Sequence, residues 1–282
     1  MNPEIGLQIY SVRNELQRDY LATLEKIAAI GYRNLELITT VTENGLIFGK
    51  DMNASQLRQV LDQNDLSAVS CHLMLQEKMN WEKILADCGE IGINSLVCPF
   101  ALFESKQDVL NLCTTFNQAA EICKKSGVQF YYHNHFQEFQ VFDGQMAMDI
   151  MLENMDKDLV MLEFDTYWAM RGGQDVIKWL QKLGKRCDLL HQKDLPATVK
   201  PVNLFELMET NPEMKIFDIF TKTINASHFT EIGEGSIDIQ AIVAAGRAYG
   251  NARYIFVEQD MTPKAEMESV EISYQSLSHL LA

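Results

Sequence analysis

The chain has 282 residues, 47% of them hydrophobic and 22% charged, with a formal net charge of −15 at pH 7. That length fits one large domain or two small ones with a substantial core, and the acidic balance without any Lys/Arg cluster argues against a nucleic-acid partner. No apolar run is long enough to span a membrane, and the opening "MNPEIGLQIYSVRNELQRDY" lacks the basic-then-apolar order of a signal peptide, so a soluble, cytoplasmic protein is expected.

In chain order, short β-prone runs fall at 5–10 (IGLQIY), 34–38 (NLELI), 67–73 (SAVSCHL), 95–100 (SLVCPF), 128–133 (VQFYYH), 159–165 (LVMLEFD), 188–192 (DLLHQ) and 253–259 (RYIFVEQ). Amphipathic stretches such as 20–31 and 111–127 lie between them, and both close on glycine as helices commonly do. Eight strands alternating with helices predict a single (β/α)8 TIM barrel over residues 1–282. A doubly wound sheet would usually carry a glycine-rich loop after its first strand, and "IYSVRNEL" has none. Residues 194–252 are too many for one helix and must hold an insertion. Six cysteines without CxxC spacing suit buried, reduced thiols.

Side chains alternate along a strand. Leu7, Ile9, Leu35, Leu37, Val69, Cys71, Phe130, Tyr132, Leu162, Phe164, Ile255 and Val257 should therefore face the helices. The opposite parity carries Gln8, Glu36, His72, His133, Asp165, His191 and Glu258 toward the barrel mouth, the end where barrel enzymes place their sites. Asp165, His191 and Glu258 end three successive strands and could converge on a divalent metal; three unrelated polar caps are the alternative. His133 and His135 share one face and are either ligands and bases or strand-end hydrogen bonders. Lys193 shares the parity of His191 and reaches either the mouth or the surface. Trp168 offers a flat wall to a sugar ring or packs in the core. "IGEGSID" at 232–238 reads as a turn. His228 and His279 read as surface or core residues.

Taken in order, "GLQIYSVR", "CHL", "YYHNHFQEF", "DTYW", "HQKD", "GEGSID" and "VEQD" resemble the xylose-isomerase-like TIM barrels, a superfamily of sugar and sugar-phosphate isomerases and epimerases. The resemblance implies a divalent metal (Mn, Mg, Co or Zn) held by Glu, Asp, His and Glu on strands five to eight. The last three positions fall on Asp165, His191 and Glu258. At the strand-five position this chain has His133, so the fourth ligand is either His133 or Glu138 folding back from the loop. In epimerases of the group two glutamates flank the substrate and exchange its carbon-bound proton, and a metal stabilises the enediolate. The HxH pattern instead looks like the inosose-dehydratase branch.

The expectation is thus a metal-dependent sugar or sugar-phosphate isomerase/epimerase, with Glu258, His133 and Lys193 catalytic. Gln8, Glu36, His72, His135 and Trp168 would contact the substrate, and Asp165, His191, Glu258 and Glu138 the metal. An inosose-dehydratase-like lyase is the alternative, and a non-catalytic carbohydrate-binding barrel the alternative of another class. The expected partner is a small sugar or polyol, neither nucleic acid nor membrane, with self-association as a homo-oligomer left open.

Overall fold

Because each β-prone run is apolar on one side, it can bury that side under helices while the other side fills the interior of a closed sheet. The computed structural model, which describes residues 2–282, shows this arrangement. Eight parallel strands are β1 (Glu4–Gln8), β2 (Asn34–Ile38), β3 (Ser67–His72), β4 (Ser95–Cys98), β5 (Gln129–His133), β6 (Val160–Asp165), β7 (Cys187–Gln192) and β8 (Tyr254–Val257). They close in the order β1-β8-β7-β6-β5-β4-β3-β2, the (β/α)8 barrel expected from the sequence.

The outer helices start and stop where side chains can satisfy their free backbone groups. The helix Tyr20–Ile30 is capped by Asp19, whose carboxylate accepts from the Ala22 N–H, and ends on Gly31 at φ 125°. The helix expected over 111–127 begins earlier, at Lys106, because Ser105 accepts from the Asp108 N–H; it ends at Lys125. All six cysteines are buried and free. Among the described residues no helix is long and apolar enough to cross a membrane.

Inside the barrel, Val97, Tyr131, Leu189 and Phe256 form an apolar floor, joined by Val69, Met161 and Tyr254. Val69 was expected to face the helices. The β2–β3 register shifts between Leu35 and Glu36, and the extra residue turns Val69 inward. Gly6 makes room for this floor, since a Cβ there would stand 2.4 Å from the Phe256 ring.

The insertion between β7 and β8 carries the helices Glu206–Thr210 and Ile216–Thr223 and packs Phe220 against His135 and Trp168. Its apolar side forms a second core with Phe136, Tyr167, Trp168, Leu204, Ile219 and Phe229. The "IGEGSID" loop is a clamp. Asp194 accepts from the backbone N–H groups of Gly233, Gly235 and Ile237, and a Cβ on Gly235 would stand 2.1 Å from its Oδ1.

Candidate functional site

Directly above the apolar floor lies a polar layer, built because successive inward positions of the strands are polar. Glu36 on β2 accepts from Gln8 Nε2 (2.8 Å) and from the Ser70 hydroxyl (2.7 Å). His72 Nε2 lies 3.0 Å from Glu36 and 2.9 Å from Glu163. His133 Nδ1 lies 3.1 Å from Glu163 Oε2, and His191 Nε2 2.5 Å from Glu36 Oε2. One step nearer the mouth are Asp165, Lys193, Glu258 and Asp260. The Lys193 ammonium bonds Asp165 Oδ2 at 2.5 Å and also bonds Glu258 Oε2, while His191 Nδ1 is 2.7 Å from that same Glu258 oxygen.

The cluster is almost sealed. Lys193, His191 and Asp165 are fully buried, whereas His72, Glu258 and Asp260 each keep about a tenth of their side-chain surface exposed. A cavity of about 310 Å³ beside the cluster is lined by Gln259 and Asp260. A larger cavity of about 610 Å³, between the loops after β1 and β2, is lined by none of the cluster residues.

Electrostatics divides the groups by their neighbours. Burial opposes charge on His72, but Glu36 and Glu163 outweigh it and hold the imidazole up at about 9. Burial likewise opposes charge on His191 and Lys193, and the surrounding carboxylates raise both well above their ordinary values. His133 goes the other way: burial, reinforced by neighbouring imidazoles, holds it well below the usual histidine range. Burial also opposes charge on Glu258, yet Lys193 and His191 keep it ionised. Burial pushes Asp165, Glu163 and Asp260 up, Asp260 to about 7, with like-charged neighbours adding to each shift.

This donor set fits a divalent cation. One ligand atom from each of His133, Asp165, His191 and Glu258 lies within 4.8 Å of the others; a second group of His72, His133, Glu163 and His191 meets the same limit. Five buried carboxylates (Glu36, Glu163, Asp165, Glu258, Asp260) face one ammonium and three imidazoles, so negative charge is in excess where water is scarce. Like-charged neighbours add to the upward shift that burial gives three of those acids, and a cation would offset that part.

Several expected residues stand elsewhere. Glu138 does not join the donor groups: residues Gln137–Phe139 form a 3-10 turn, which ends the strand alternation. Its carboxylate instead accepts from the Tyr132 hydroxyl and from the His135 N–H at 2.9 Å. Gln8 and Glu36 do point inward, but they are fully buried beneath His72 and His191 and committed to protein partners, not open to a substrate. Trp168 is fully buried and its face is covered by Phe220 at 5.6 Å, so it is no open wall. His135 stands at the edge of the same aromatic group, 5.5 Å from Trp168 and 5.3 Å from Phe100 and Phe220. His228 is half-buried, its carbonyl accepting from the Tyr167 hydroxyl, and His279 is exposed. Glu163 and Asp260 were not singled out from sequence. Each lies two residues from a predicted ligand, at the same parity, and that spacing was the available signal.

Known proteins show the same frame. The inosose dehydratase of Geobacillus kaustophilus is 25% identical over 266 residues, covering 85% of this chain and 80% of that protein. A sugar phosphate isomerase/epimerase from Parabacteroides distasonis superposes with a TM-score of 0.78 at 25% identity, over 100% of this chain and 96% of that one. The IOLI protein, solved with a bound zinc atom, shares the fold with a TM-score of 0.68 at 12% identity, over 99% of this chain and 98% of that one. The xylose isomerase-like TIM barrel family matches residues 24–277, and the chain belongs to that family.

Proposed function

We propose that the protein is a metal-dependent lyase that removes water from a small ketopolyol, a ketocyclitol of the inosose type being the first candidate. The observation that carries this reading is the asymmetry of the acid–base groups at the mouth. Proton exchange on two faces of a carbon calls for a base on each side. Here Lys193 and His191 hold Glu258 ionised at the opening, burial pushes Asp260 beside it up to about 7, and His133 stands at the strand-five position where the family resemblance implies a second glutamate. Glu163 is a second carboxylate by type only, because it is fully buried, with its Oε2 surrounded by His72, His133 and His191.

His133, Asp165, His191 and Glu258 would hold the cation, as the excess of buried negative charge favours. When bound, a divalent ion polarises a carbonyl and offsets charge that develops on its oxygen. The chain's own groups supply the proton transfers. Lys193 and His191 both bond Glu258 Oε2, which leaves Oε1 to take the proton from the carbon beside the carbonyl. His72, held cationic and partly exposed, donates a proton to the hydroxyl on the next carbon. That C–O bond breaks, water leaves, and the electron pair of the broken C–H bond forms the new double bond. His135 lines the rim and contacts substrate oxygens. The identity to the Geobacillus inosose dehydratase supports this reaction class.

A second reading, sugar-phosphate isomerisation or epimerisation, is favoured by the likeness to the Parabacteroides structure. The two separate in one assay. The protein is incubated with an inosose and Mn²⁺ in D2O, and in parallel with ketose phosphates. A product lighter by one water, abolished by chelation, supports the lyase. Isomerised ketose phosphate carrying deuterium, with the inosose untouched, contradicts it.

A further inference from the structure

An imidazole can offer one nitrogen to a cation only if its other nitrogen keeps the proton, and a carboxylate facing that other nitrogen fixes the choice. His133 and Glu163 are register partners across β5 and β6. His133 Nδ1 is 3.1 Å from Glu163 Oε2, and the same oxygen is 3.1 Å from His191 Nε2. His191 Nε2 also lies 2.5 Å from Glu36, a carboxylate already pinned as an acceptor by Gln8 and Ser70. The remaining nitrogens face the other carboxylates. His191 Nδ1 is 2.7 Å from Glu258, and His133 Nε2 is 3.8 Å from Asp165.

We propose that Glu163 is a positioning residue for the cation centre: its Oε2 holds the proton on His133 Nδ1, leaving His133 Nε2 bare toward Asp165. The proposal rests on reading the centre as a cation site. Glu163 acts through His133 and does not itself bind the ion. Its Oε1 is buried without a hydrogen-bond partner, which leaves the work to Oε2.

The test has two arms. In the first, ¹⁵N NMR of histidine-labelled wild-type protein without added metal reads the protonation of each ring nitrogen. A proton on His133 Nδ1 is expected; a bare Nδ1 overturns the proposal. In the second, Mn²⁺ affinity is measured for wild type, Glu163→Gln and Glu163→Asp, each checked for folding by circular dichroism. Glu163→Gln should bind about 10–100-fold more weakly, with Glu163→Asp, which keeps the carboxylate, recovering part of the loss. Equal affinity in wild type and Glu163→Gln overturns the proposal. If wild type took up no divalent ion, the cation reading would fall, while the NMR arm would still decide what Glu163 holds.

Discussion

The ammonium of Lys193 stands 2.5 Å from Asp165 Oδ2, inside a shell that leaves neither side chain in contact with solvent. It shares Glu258 in the same way and lies 4.0 Å from Asp260. A lysine so placed is an internal counter-ion for three acids, and it competes with a divalent cation for the oxygens of Asp165 and Glu258. Removing it leaves buried carboxylates without compensation. Lys193→Met should therefore destabilise the metal-free protein by about 3 kcal/mol, as broken buried pairs do. Added Mn²⁺ at a hundred times its dissociation constant should return about 2.7 kcal/mol by mass action. Thermal melts with and without Mn²⁺ check this, and a variant as stable as wild type under both conditions contradicts it.

Glu258 is the group assigned to the proton on carbon. Glu258→Gln keeps the size and removes the base, so deuterium incorporation from D2O and turnover should both fall, by about 10²–10⁴-fold. The measurement is mass spectrometry of recovered substrate and product. Exchange at the wild-type rate would move the role to another group, with Asp260 the nearest candidate.

Glu138, although outside the donor groups, carries a pH signature. Burial pushes its carboxyl up to about 7, against the opposing bonds from Tyr132 and the His135 N–H. A carboxyl whose folded value lies above its unfolded one gives stability that is complete below pH 4.5 and lost as the pH rises through 7. The loss is of order 3 kcal/mol for a shift of that size. Glu138→Gln removes this dependence, so its stability relative to wild type should rise between pH 5 and pH 8. Denaturant melts at those two pH values decide, and an offset that does not change with pH counts against the assignment.

The barrel was legible because strand alternation is a local signal: all eight strands were placed by apolar runs and parity alone. The mouth was legible where the strand alternation holds, including Lys193 and Glu258 one residue past their strands. Glu138 follows a strand but sits in a 3-10 turn, where period two no longer holds, so its direction could not be read. Val69 turned inward because of a register shift that depends on the neighbouring strand. The cover over Trp168 comes from Phe220, 52 positions along the chain, and no local pattern announces such a contact. Glu163 was readable in principle, two residues before Asp165 on the same face, but a charged residue mid-strand draws attention only once its partners His72, His133 and His191 are known.

Asp165, His191 and Glu258, with His133, are proposed to hold a divalent cation at the strand ends. The most direct measurement is metal content after equilibration with Mn²⁺ and removal of free ion, compared among wild type, Asp165→Ala and His191→Ala. Wild type should retain about one ion per chain and both variants should be strongly depleted, since each loses one of four donors. Unchanged stoichiometry and affinity in both variants would contradict it.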